Sequence, residues 1–67
     1  MKLKVGHVYF RKSENALLKI IKKEVDNFPM RCITQFGEQY GFKEEIYSDD
    51  LVHLGKGSLE DYPEYFL

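Results

Sequence analysis

Cys32 is the only cysteine in the chain, so no internal disulfide can staple this fold together. At 67 residues there is room for one domain, residues 1–67, and none for a second core. A chain this short buries only roughly 60% of the surface its unfolded form exposes, so dense packing must replace the missing bridge. Aromatic rings are the available material: five Phe and five Tyr, each able to bury on the order of 150–250 Å². A lone thiol, no secretory signal pattern and no long apolar run fit a reducing cytoplasm, which is the expected compartment.

The net charge of −1 hides a division. Residues 1–35 carry eight basic side chains against Glu14, Glu24 and Asp26, a net of +5; residues 36–67 carry Lys43 and Lys56 against eight acids, a net of −6. Either the two halves neutralise each other across one small domain, or the protein presents a bipolar surface that could meet a polyanion or an acidic protein patch.

No repeat, linker or low-complexity tract interrupts the chain. The opening "KLKVGHVYF" alternates like a strand, with a change of phase at Gly6 that a bulge would explain. "RKSEN" reads as a turn. Residues 14–27 then admit two structures. At 100° per residue, Leu17, Leu18, Ile21, Val25 and Phe28 make one apolar stripe, with Ser13 as N-cap and Pro29 as stop, which describes an amphipathic helix on a small antiparallel sheet. Alternatively "ALLKIIKKEV" is a β-rich run, "DNFP" a hairpin connection and "MRCITQF" the partner strand. That last segment alternates Met30, Cys32, Thr34 and Phe36 against Arg31, Ile33 and Gln35, the pattern of a half-buried strand. Gly37 supplies a turn, and "EQYGFKEEIY" reads as a returning aromatic strand with Gly41 as a bulge or close-approach point. In "SDDLVHLGKG", Ser48 or Asp49 can cap a helical turn over 48–54 that Gly55 ends. The aromatic tail is expected to dock on the sheet through Tyr62, Tyr65, Phe66 and Leu67.

This order of segments ("VGHVYFRK", "LLKIIKKE", "MRCIT", an aromatic strand, "SDDLVHLG") resembles the small Src-homology-3-like barrels, including Tudor and KOW-type modules and short accessory proteins of bacteria and phages. The resemblance covers about residues 4–55. It implies a mainly β fold, a five-stranded barrel, and so decides for a strand at residues 16–26. It carries no functional residue, because such modules share architecture and not chemistry.

Catalysis would draw on Cys32, His7 and His53 with Asp49 or Asp50, but no local signature joins them, and the chain is expected not to be an enzyme. One Cys and two His are too few for a structural zinc site, and no cofactor is expected. "GKG" at 55–57 lacks the frame of a phosphate loop. Glu44-Glu45 and Asp49-Asp50 lack the spacing of a calcium loop and read as a solvated rim. What remains is binding. Tyr9, Tyr40, Phe42 and Tyr47 are the candidate rings, beside Arg11, Lys12 and Arg31. A protein partner fits the bipolar charge; the alternative is nucleic acid on the basic first half. No membrane role is expected.

Overall fold

The computed structural model describes residues 2–47 and 49–65, the side chains at 46 and 47 excepted. Five strands form one antiparallel sheet: β1 (His7–Arg11), β2 (Ala16–Lys23), β3 (Met30–Thr34), β4 (Gln39–Phe42) and β5 (Leu51–Lys56), in the order β4-β3-β2-β1-β5. Among the described residues the helical segments are all short 3-10 turns, and no helix is long and apolar enough to cross a membrane.

Within the ambiguous segment Ala16–Lys23 is a strand, three residues shorter than the expected 16–26, and residues 24–29 form the connection. Leu18 pairs with Thr34 and Ile20 with Cys32, and the connection closes where Glu24 N–H donates to the Pro29 carbonyl at 2.8 Å. Asp26 shapes that connection by accepting from the Phe28 N–H at 2.8 Å, the local bond that makes aspartate a turn former. The helix over 14–27 is excluded. Its apolar stripe fails at the far end, where Val25 is fully exposed and Phe28 is 54% exposed.

Three further expectations change. The strand expected from residue 2 begins only at His7, because Gly6 lies at φ +87 in a turn and is not a bulge. The helical turn expected over 48–54 lies earlier, as a 3-10 turn at Glu44–Tyr47, and Leu51–Lys56 is instead the β5 strand paired with β1. Its apolar residues are worth more against β1 than in an isolated turn; Leu51 is 4% exposed. The sheet is also not closed into a barrel. β4 is only four residues long and runs into the 3-10 turn, so β4 and β5 remain the two edges.

One face of the sheet carries the main core: Leu3, Tyr9, Leu18, Ile20, Met30, Cys32, Phe42 and Leu51, with Tyr40 packed against it. The other face is also covered where Val8 and Leu17 lie wholly buried. There the 3-10 turn Leu59–Asp61 packs on β2, and the Tyr65 ring sits 4.8 Å from that of Phe10. The expected docking of the tail is thus seen at Tyr65; Phe66 and Leu67 lie outside the described residues. Gly41 is a close-approach point. A Cβ there would stand 2.7 Å from the Phe28 carbonyl oxygen, so only glycine lets the β2–β3 connection fold over β4.

Candidate functional site

Tyr40 is the centre of the candidate surface. It sits on β4 opposite Cys32 of β3, half-buried, with its body against the core. Burial, reinforced by the neighbouring Cys32, pushes its phenol up to about 12, against the pull of Arg11, so the hydroxyl stays protonated. A shallow depression opens on each side. One, of about 340 Å³, is lined by Ile21, Lys22, Arg31, Cys32, Gln39 and Tyr40. The other, of about 270 Å³, is lined by Arg11, Glu14, Ala16, Thr34, Phe36, Glu38 and Tyr40.

The two arginines are fixed by acids. Arg11 reaches Asp50 with its Nε 3.2 Å from Oδ2, and Glu14 lies 4.0 Å from its outer nitrogen. Asp50 also accepts from the Ser13 N–H at 2.8 Å and from the Ser13 hydroxyl. These bonds, led by the Ser13 hydroxyl, hold its carboxyl below the usual range. Arg31 pairs through its outer nitrogen with Asp26, while its Nε–H is enclosed without an acceptor. Lys22, directly across from Arg31 in the ladder, pairs with Glu24 at 2.7 Å.

Of the residues read from the sequence, Arg11, Arg31 and Tyr40 therefore meet at one surface. Lys12 is exposed in the adjacent 3-10 turn. Tyr9 and Phe42 are 1% and 3% exposed and build the core, so they offer no surface. The side chain of Tyr47 lies outside the described residues. Sequence reasoning missed Phe36, 69% exposed on the rim of the second depression, and Ile21, 41% exposed on the first. The signal for Phe36 was the adjacent Gly37, at φ +81, which ends the alternation that would have buried it.

Cys32 is wholly buried, and burial raises its thiol above the ordinary 9.0, with hydrogen bonding to Tyr40 opposing. It lies on β3, separated from the histidines of β1 and β5 by β2. Labelling by a thiol reagent in native buffer should be slow and should accelerate on unfolding; fast native labelling would show a reactive thiol instead. The sign with pH follows from the raised value. The thiol's contribution to stability is present below 9.0 and is lost as pH rises through the folded value.

No family model, curated protein or solved structure matches the chain.

Proposed function

We propose that this chain is a non-enzymatic protein-binding module of the Src-homology-3-like kind, a cytoplasmic accessory or regulatory factor of bacterial or phage type. It holds a partner segment across Tyr40. The observation that carries this reading is the pairing of a half-buried tyrosine with two acid-braced arginines and an exposed phenylalanine around two adjoining depressions. Tyr and Arg are the residue types that dominate binding energy at interfaces, and bracing lowers the entropy lost on contact. The edge strand β4 beside it offers backbone groups to an extended segment. Five antiparallel strands in one sheet support the mainly β part of the reading.

Nucleic acid is the competing occupant, favoured by Lys22 across from Arg31 and by exposed Lys12. Glu24 and Asp26 neutralise the first two, so a stripe of free cations is not what this face presents. Capture from a bacterial lysate, with and without nuclease, distinguishes the two. The captured partner should survive nuclease and be a protein. Phe36→Ala, at an exposed position, should leave the fold intact and weaken capture at least ~10-fold, about 1.4 kcal/mol. Capture abolished by nuclease selects the nucleic-acid reading; capture indifferent to Phe36→Ala places the interface elsewhere.

A further inference from the structure

Away from this surface, two histidines from opposite halves of the sequence meet where the edge strand β5 joins β1. Nδ1 of His7 and Nε2 of His53 stand 2.9 Å apart and face each other, an imidazole–imidazole hydrogen bond between the strands. The His53 ring also lies 5.1 Å from that of Tyr9, which is buried. The bond spans a defect in the ladder. Tyr9 pairs with His53 but Val8 pairs with Gly55, so Leu54 is an extra residue in β5. A bulge interrupts backbone pairing at such a point and raises the local twist. Beyond it, the end of β5 is held to β1 by the Val8–Gly55 and His7–Lys56 pairs, and the Gly57 N–H donates to the Gly6 carbonyl at 3.2 Å.

We propose that the His7–His53 pair is a proton-operated latch, which holds the end of β5 on β1 until both rings are protonated and then releases it. The two facing nitrogens have room for one proton between them. In the neutral pair each ring carries one N–H, and one of these makes the bridge. A first added proton goes to the outward nitrogen of the donor ring, which becomes an imidazolium, and the bridge survives as a charge-assisted bond. A second proton has to take the facing nitrogen of the other ring. That sets N–H against N–H at 2.9 Å and one positive ring against another, so the bond is lost. Release bares the outer edge of β1 and the Tyr9 ring that His53 covers.

The surroundings favour release. His7 is held below its ordinary value of 6.5, first by desolvation and then by His53, by Lys4 of the N-terminal segment and by Lys56 of β5. From β2, Leu18 and Ile20 share the core face with Tyr9, while Lys19 lies across from Val8 on the other face. The tail brings Tyr62 to Gly55, and its Asp61 is engaged by the Ser58 N–H. Both lysines are exposed, so salt screens them, and the latch rests chiefly on the two facing nitrogens. Protons reach the pair freely, because His53 is exposed and His7 half-buried. Below 6.5 the released form binds one proton more than the latched form, so latching weakens as pH falls; above 6.5 it is fully present.

Amide hydrogen exchange of untagged protein between about pH 8 and about pH 5, corrected for the intrinsic exchange rate at each pH, tests the proposal. Opening of the β1–β5 ladder beyond the bulge should rise below 6.5 by up to ~10-fold per pH unit, while the β2–β3 ladder opens far less. His53→Gln and His7→Gln each leave one ring that can be protonated without a second positive ring facing it, and each should flatten this rise. Ring-nitrogen NMR of the parent protein gives a second reading that needs no variant. Both rings should respond in two coupled steps, as a pair sharing one proton does. Two independent titrations, a β1–β5 ladder whose opening is flat with pH or rises no more than that of β2–β3, or an unchanged rise in both variants, overturns the proposal.

Discussion

Ile20→Ala should remove about 2–5 kcal/mol, most of this domain's stability, while Ile21→Ala beside it should change stability by no more than about 0.5 kcal/mol. Ile20 is wholly buried in the main cluster, opposite Cys32 in the ladder, and its carbonyl accepts from the Gly6 N–H at 2.7 Å. Truncating such a side chain costs about 2–5 kcal/mol, because the lost apolar transfer is joined by the cavity left behind. A small domain has only about 5 kcal/mol in all. With no disulfide to limit the unfolded state, little remains to offset the loss. Ile21 is 41% exposed at the point where the β2–β3 register shifts, so its removal exposes no core. Urea unfolding followed by far-ultraviolet circular dichroism reads both. A larger cost at Ile21 than at Ile20 would restore the helical arrangement, which puts Ile21 inside.

This pair of residues also shows why part of the fold was hard to read. A strand announces itself by alternation, and β3 does so: Met30, Cys32 and Thr34 are buried, with Arg31 and Ile33 half-exposed between them. β2 does not. Ala16, Leu17 and Leu18 are buried in succession because both faces of the sheet are covered there, which erases the period of two. The bulge after Ile20 then shifts the phase, and the remaining pattern mimics 3.6 residues per turn. Local propensity was outweighed by pairing with two neighbouring strands. At the candidate site, residue type was enough to select Tyr40, Arg11 and Arg31, since tyrosine and arginine are the usual anchors of a binding surface. It could not separate Tyr40 from Tyr9 and Phe42, because a ring suited to an interface is equally suited to a core. The brace from Asp50 to Ser13 and Arg11 spans 37 and 39 residues and leaves no local trace in the sequence.

Removing residues 61–67 should lower stability by about 2–4 kcal/mol, seen as a fall in the urea midpoint, and Tyr65→Ala alone should account for about half of it. The tail is tied to three strands. The Tyr65 ring packs on Phe10 of β1, and its carbonyl accepts from Gln35 Nε2 at 3.3 Å. The same Gln35 side chain accepts, through its oxygen, from the N–H of Leu17 on β2. Tyr62 approaches β5, its hydroxyl 3.3 Å from where a Cβ on Gly55 would stand. The chain is turned onto this path by Asp61, whose carboxylate accepts from the Ser58 N–H at 2.9 Å; a Cβ on Gly57 would collide with that carboxylate at 2.5 Å. Cutting before Asp61 therefore removes the turn's anchor together with both tyrosines. A paired-ring contact contributes about 0.5–1.5 kcal/mol beyond area burial, and the uncovered rim of Phe10 adds apolar surface at about 25 cal/mol per Å². The exposed side of the tail carries Glu60, Asp61 and Glu64, which suits a segment docked by one face and solvated by the other. An unchanged midpoint in the truncated protein would refute the structural role. If partner capture were lost at the same time, the tail would be a recognition element first.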